Sequence, residues 1–230
     1  MEDHIDCERV QDPYSLRCMP QVHGASRNAW LHLKELLEIE LNSVTDNPVI
    51  LGRDKILSGG NFHGQPLALA ADYAAVATAE LGNIADRRIY LSLSDQIEGL
   101  PKLLMRETGL NSGLMILQYT TASLVNENKT LCFPASADSI PTSLGQEDHV
   151  SMGATSVRKA LQITGNLEKI LGIELVCASQ GFDFRKPLRS GPLLEACYEH
   201  IRSRIPHIDQ DVYLGDMIEE GIAIVTNREL

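Results

Sequence analysis

The chain has 230 residues, 43% of them hydrophobic and 22% charged, which is enough apolar material for a sizeable globular core. Its formal net charge of −11 argues against binding to nucleic acid or to an anionic membrane surface. The five cysteines form no Cys-x-x-Cys pair, and their odd number is more typical of a reduced, cytoplasmic protein than of a disulfide scaffold.

The first predicted helix covers residues 21–41, where apolar side chains recur at steps of three and four. The twenty residues before it lack this periodicity and predict a loop around Pro13, and Met1-Glu2-Asp3-His4 is unlike a signal peptide. After the helix, the triplets Val49-Ile50-Leu51 and Lys55-Ile56-Leu57, separated by Gly52-Arg53-Asp54, predict a small β-hairpin.

A glycine-rich turn at residues 58–66 leads into an alanine-rich run without proline, residues 67–93. This run predicts a helix about 40 Å long, and its first half is apolar on nearly every face. Such a helix has to be surrounded by other helices, and small side chains let them pack closely. Because Asp72, Glu80 and Asp86 interrupt the run, it is not predicted to cross a membrane.

Four more helices are predicted in the second half of the chain. The first covers residues 114–129 and is capped by Asn111, and the second is a long stretch after His149 to about Ser179, ended by Gln180-Gly181. The last two cover residues 193–204 and, with a weaker pattern, residues 211–225. Together these elements predict an all-α fold, an elongated bundle of long helices with one small β-hairpin. We expect residues 1–230 to form a single helical domain.

Taken singly, the polar clusters have structural explanations. Glu147 would stabilise a helix N-terminus, Phe62 would be a core residue, and Arg17 would bond a backbone carbonyl. His63 and His149 do not share metal-ligand spacing with a carboxylate, so no metal site is predicted. The sequence also lacks a Gly-x-Ser-x-Gly motif, a phosphate loop and a dinucleotide-binding fingerprint.

Six motifs stand in a definite order along the chain. They are QDPYSLRC at 11–18, NSVTDNP at 42–48, SGGNFH at 58–63, GLNSG at 109–113, ENK at 127–129 and QEDHVSMG at 146–153. In this order they resemble the aromatic amino acid ammonia-lyases, from about Cys7 to past Leu188. Within that family the Gln-Glu-Asp-His form is similar to the histidine ammonia-lyases.

The resemblance implies an enzyme that removes ammonia from L-histidine to give urocanate, working as a homotetramer whose active sites combine several subunits. The family's electrophile is 4-methylideneimidazole-5-one (MIO), which forms from an Ala-Ser-Gly tripeptide in an N-terminal half. No Ala-Ser-Gly exists here, because Ala25-Ser26, Ala122-Ser123, Ala135-Ser136 and Ala178-Ser179 are all followed by other residues. The resemblance therefore implies the C-terminal part of such an enzyme, and we expect the chain alone to be inactive.

The resemblance also implies roles for five residues. Arg17 would clamp the substrate carboxylate through its guanidinium fork, Tyr14 would lie beside the electrophile, and Gln11 would make a polar contact in the same pocket. Phe62 would pack against the reacting centre, and Glu147 would face the imidazole and assist proton movement. Two alternatives remain open: half of a two-chain enzyme, or a non-catalytic helical oligomerisation module.

Overall fold

The computed structural model describes residues 10–230, so Cys7 and the segment Met1-Glu2-Asp3-His4 lie outside the described residues. The helices are α1 (Tyr14–Arg17), α2 (Met19–Leu41), α3 (Gln65–Leu93), α4 (Met115–Leu131), α5 (Gly153–Phe184), α6 (Pro192–Arg204) and α7 (Gly215–Thr226). Strands β1 (Val49–Gly52) and β2 (Lys55–Leu57) pair antiparallel. The prediction of an all-α fold with one small hairpin is confirmed.

Two predicted helix boundaries were wrong. The segment before residue 21 is not wholly a loop, because within its described part, residues 10–20, it contains α1 and the first two residues of α2. Pro20 lies in the first turn of α2, where its missing N–H costs no hydrogen bond. Helix α5 also continues through Gln180-Gly181, since the buried Gln180 amide donates to the carbonyls of Leu104 and Ile208. These tertiary bonds outweigh the local preference for a break.

The described residues group into two compact units, each assembled from separate segments of the chain. Unit 1 contains residues 10–22, Leu81–Glu127 and Gly165–Leu230, and unit 2 contains His23–Glu80 and Asn128–Thr164. Helices α2, α3, α4 and α5 each contribute residues to both units. The single helical domain over residues 1–230 stays a prediction.

Unit 1 has a large aliphatic core. Its fully buried side chains include Ile89, Leu104, Leu117, Ile173 and Ile205, contributed by helices and by the segments that connect them. Unit 2 has a smaller cluster built around Ala75, Ala79 and Ile163. The alanines at positions 75 and 79 of α3 allow close helix packing, as the sequence of this helix predicts.

A close contact between two glycines joins α5 and α7 within unit 1. A Cβ atom placed on Gly172 would lie 2.6 Å from the Ile222 nitrogen and 2.8 Å from the Gly221 carbonyl carbon. Both neighbours are backbone atoms of a packed helix, so they cannot move aside without shifting α7. The two helices can approach this closely only because both residues lack a side chain.

Replacing Gly172 with alanine is therefore expected to lower the free energy of unfolding by about 2 kcal/mol, since overpacking outweighs the better helix propensity of alanine. The matched control is Gly165→Ala in the same helix, where no atom lies within 4 Å of the added Cβ. This control is expected to raise stability by about 0.5–1 kcal/mol. Urea denaturation of the purified variants measures both changes, and equal stability of Gly172→Ala and the parent would contradict the packing argument.

A reciprocal set of hydrogen bonds, here called the Asn111–Asp211 clasp, fixes the Gly109–Gly113 loop in unit 1. The Asp211 carboxylate accepts the backbone N–H groups of Ser112 and Gly113, both at 2.8 Å. The Asn111 side-chain oxygen in turn accepts the Asp211 N–H at 3.0 Å. Asn111 thus holds the segment after α6, and the prediction that it caps α4 was wrong.

Within residues 10–230, the helices offer no stretch both long and apolar enough to cross a membrane.

Candidate functional site

The three candidate residues near the start of the chain lie together in unit 1. Tyr14 is the first residue of α1 and Arg17 the last, and the guanidinium carbon of Arg17 lies 4.4 Å from the centroid of the Tyr14 ring. Gln11 precedes the helix in the same loop and is exposed. One short turn thus presents all three side chains, as the spacing of the QDPYSLRC motif predicts.

Arg17 is oriented by its own loop. Its Nε donates to the Asp12 carbonyl at 2.9 Å, so the predicted bond to a backbone carbonyl exists. That bond does not use the two terminal nitrogens, and within the described residues they have no hydrogen-bond partner. The outer edge of the guanidinium fork therefore remains available, and a planar pair of N–H donors matches a carboxylate.

The other two candidates, Phe62 and Glu147, lie in unit 2. Phe62 lies in the turn before α3 and is 53% exposed. The structural explanation that Phe62 is a core residue is therefore wrong for this chain. Glu147 is exposed and precedes α5, which begins at Gly153, so it does not stabilise that helix's N-terminus. Its Oε2 instead accepts a hydrogen bond from the Thr142 hydroxyl at 2.7 Å.

We name residues 139–150 the Glu147 loop. Two pairs of residues close it: the Ser139 hydroxyl bonds both N–H and C=O of Val150, at 2.9 and 3.1 Å, and the Thr142 N–H donates to the Glu147 carbonyl at 2.9 Å. Between the inner pair the backbone is left-handed at Ser143 (φ 52°), Leu144 (φ 56°) and Gly145 (φ 89°). Non-glycine residues adopt this conformation at a cost, and such strain often occurs at functional sites.

A histidine pair connects the Glu147 loop to the turn that carries Phe62. His63 Nδ1 accepts the Gln65 N–H at 3.3 Å, so its proton is on Nε2, which lies 2.9 Å from the His149 carbonyl oxygen and donates to it. The two rings stack with centroids 5.5 Å apart and an interplanar angle of 7°. Phe62 and Glu147 therefore lie on segments that are tied together.

The segment leading to the Glu147 loop is anchored by a buried carboxylate. Asp72 of α3 accepts the Ser136 N–H at 2.7 Å and the Ser156 hydroxyl at 3.0 Å, and Lys159 Nζ lies 3.4 Å from its other oxygen. Burial by itself raises the pKa of Asp72, but the bonds from Ser136 and Ser156 and the charge of Lys159 outweigh it. The pKa therefore lies below its ordinary value of 3.8.

Asp72→Asn is expected to lower the free energy of unfolding by about 3 kcal/mol at pH 7, because it leaves the mostly buried Lys159 without its counter-charge. A carboxylate whose pKa is lower in the folded state stabilises the protein above its unfolded pKa. That contribution is lost as the pH falls through the folded value. The parent should therefore lose stability below about pH 4 more steeply than Asp72→Asn.

Urea denaturation at pH 7 and between pH 3 and 4 measures both effects. The control is Asp54→Asn in the exposed hairpin turn, which is expected to change stability by less than about 0.5 kcal/mol. Parallel pH profiles for the parent and Asp72→Asn would contradict the assignment of the Asp72 carboxylate as an ionised anchor.

Several contacts at the candidate site could not be read from the sequence. Thr142 lies in a polar loop without any periodic pattern, so the sequence does not indicate that its hydroxyl contacts Glu147. Asp72 was noted only as an interruption of an apolar helix. His63 and His149 were judged solely as potential metal ligands, whereas their ring nitrogens and carbonyls connect two segments.

The residues present do not fit a MIO precursor. Ser26 and Ser179 are buried inside α2 and α5, and their hydroxyls donate to the carbonyls of Ala77 and Val176. Ser123 lies inside α4, Ser136 is held by Asp72, and no glycine follows any of the four serines. A ring closed within three residues needs the backbone freedom of glycine. Among residues 10–230, no group of three histidine, cysteine or acidic side chains could hold a metal ion.

Comparison with known proteins gives a consistent result. A family model described as aromatic amino acid lyase matches residues 2–203. A histidine ammonia-lyase from Symbiobacterium thermophilum is 54% identical over 223 residues, which cover 96% of this chain and 44% of that protein. The chain matches the C-terminal part of such relatives and spans slightly less than half of their length.

Solved structures agree with the sequence match. The histidine ammonia-lyase of Trypanosoma cruzi superposes with a TM-score of 0.91 at 45% identity, covering 95% of this chain and 44% of that one. A tyrosine aminomutase from Streptomyces globisporus superposes with a TM-score of 0.90 at 37% identity, covering 99% of this chain and 45% of that one.

Proposed function

The chain belongs to the aromatic amino acid lyase family, and we propose that it is the C-terminal part of an enzyme that converts L-histidine into urocanate and ammonia. The observation that carries this proposal is the high identity to a histidine ammonia-lyase over nearly the whole chain. The geometry supports it in two places, the open guanidinium fork of Arg17 and the exposed carboxylate of Glu147.

Each candidate residue has a role that its geometry allows. Arg17 would bind the substrate carboxylate, with Tyr14 and Gln11 beside it on the same turn. Glu147 would accept a hydrogen bond from an imidazole N–H and assist the movement of a proton. Phe62 would exclude water from the reacting centre. This chain supplies no electrophile, because it has no Ala-Ser-Gly.

We also propose that the protein works as a homotetramer, as the resemblance implies, and in the cytoplasm, as its odd number of cysteines favours. Supporting this, Leu69, Tyr73 and Val76 are each more than half exposed on one face of α3. Their spacing of four and three residues forms an apolar stripe that another helix could cover. The same stripe qualifies the prediction that α3 is surrounded by other helices, because these three apolar side chains are exposed, as is Tyr90 further along the helix.

The proposal is tested with a fused protein, in which the preceding part of the Symbiobacterium thermophilum histidine ammonia-lyase is joined to residue 1 of this chain. With L-histidine it is expected to produce urocanate, followed by ultraviolet absorbance, and with L-tyrosine or L-phenylalanine no product. Turnover of tyrosine instead would contradict the substrate. A folded tetramer without any turnover would contradict the activity and favour the non-catalytic alternative.

A further inference from the structure

We infer that Thr142 is a positioning residue for Glu147. Its hydroxyl holds one carboxylate oxygen so that the other is directed at the ligand. The inference rests on the proposed function, since it concerns how Glu147 meets an imidazole. It also makes a claim about the Glu147 loop that can be tested in this chain without any turnover.

Thr142 contacts Glu147 through both its backbone and its side chain. The Thr142 N–H donates to the Glu147 carbonyl at 2.9 Å, and its hydroxyl donates to Glu147 Oε2 at 2.7 Å. Among the described residues, Oε1 accepts no hydrogen bond. A carboxylate fixed through one oxygen keeps the other free for a donor, and an imidazole N–H is such a donor.

The backbone between the two residues enforces this arrangement. Three consecutive left-handed residues, Ser143 to Gly145, lie in the turn that brings Thr142 opposite Glu147. Leu144 at the tip is fully exposed, so no burial of its side chain offsets the strain of its conformation. The bonds between Thr142 and Glu147 hold this turn together with two backbone bonds inside it. These run from the Gly145 N–H to the Thr142 carbonyl at 2.9 Å and from the Gln146 N–H to the Ser143 carbonyl at 3.2 Å.

The rest of the loop is fixed independently of Thr142. Ser139 and Val150 close its outer end, and His63 holds the His149 carbonyl. Removing the Thr142 hydroxyl should consequently release the Glu147 side chain and loosen the inner turn, which keeps its backbone bonds, while the outer loop stays in place. A change that is confined to the inner turn can therefore be assigned to the loss of the Thr142 hydroxyl.

In the fused protein, Thr142→Val is expected to lower kcat/KM for L-histidine about tenfold, mostly through KM, because the carboxylate already contacts the ring in the ground state. Thr142→Ser keeps the hydroxyl and should restore most of the activity. Thr164→Val, which removes a hydroxyl bonded only to the backbone of α5, is the matched control and should have no effect.

A double-mutant cycle separates positioning from general structural support. If Thr142 acts through the Glu147 carboxylate, Thr142→Val should cause no further loss in a Glu147→Ala background. An equal loss in both backgrounds would overturn the inference. If Glu147→Ala itself leaves activity unchanged, the role proposed for Glu147 is wrong. If Glu147→Ala lowers activity but Thr142→Val does not, only the positioning role of Thr142 is wrong.

Hydrogen exchange of the 230-residue chain tests the same contact without catalysis. Peptides covering residues 142–147 are expected to lose protection in Thr142→Val and to keep it in Thr142→Ser, while the Ser139 and Val150 amides stay unchanged. Unchanged protection at 142–147 in Thr142→Val would overturn the inference, whatever the fused protein does.

Discussion

The 230-residue chain by itself is expected to form no urocanate from L-histidine above the blank. The reason is chemical: none of its four Ala-Ser pairs is followed by glycine, and Ser26, Ser123 and Ser179 lie inside helices. Binding residues alone can orient a substrate, but they cannot replace an electrophile that the reaction requires. Ultraviolet absorbance of urocanate, followed over hours at high protein concentration, measures the result.

The fused protein serves as the positive control for this experiment, since it supplies the Ala-Ser-Gly-bearing part. A second arm adds that part as a separate polypeptide to the purified chain, and recovered turnover would favour the two-chain alternative. Any turnover by the chain alone would contradict the prediction and would require an electrophile made from other residues.

Replacement of Arg17 by alanine is expected to lower kcat/KM of the fused protein for L-histidine by about 100-fold. A hydrogen bond to a charged group contributes about 1.5–3 kcal/mol, and each 1.4 kcal/mol corresponds to a factor of about ten. The two terminal nitrogens of Arg17 have no partner among residues 10–230, so their loss should affect the ligand more than the fold.

Arg17→Lys tests the geometry of the fork, because lysine keeps the charge but cannot bond a carboxylate through two parallel N–H groups. We expect it to fall between Arg17→Ala and the parent. Arg53→Ala, at an exposed position in the hairpin, is the control and should be silent. Unchanged kinetics and substrate binding in Arg17→Ala would contradict the carboxylate clamp and support a non-catalytic module.

The sequence predicted the fold best where local preference and burial agree. Helix α3 was expected over residues 67–93 and covers Gln65–Leu93, because an alanine- and leucine-rich run without proline has no competing conformation. The hairpin was also confirmed, since Gly52-Arg53-Asp54 separates two short, mainly apolar segments. Both elements are determined by neighbours within a few positions along the chain.

The prediction failed where a distant contact decides the local structure. Gln180 prolongs α5 because its amide reaches Leu104 and Ile208, which are far away in sequence. The left-handed turn next to Glu147 contains Ser143 and Leu144, and neither residue type favours that conformation. The contact between Thr142 and Glu147 depends on that turn, so no reading of propensities could have found it.

The Asn111–Asp211 clasp has a consequence for how this protein can change over evolution. Asn111 lies in one of the six motifs, while Asp211 lies after residue 203, where the match to the family model ends. Because each residue satisfies backbone groups of the other's segment, a substitution at one removes the partner that the other requires. The two positions should therefore co-vary among relatives. Asp211 should be substituted no more often than Asn111, although it lies after residue 203.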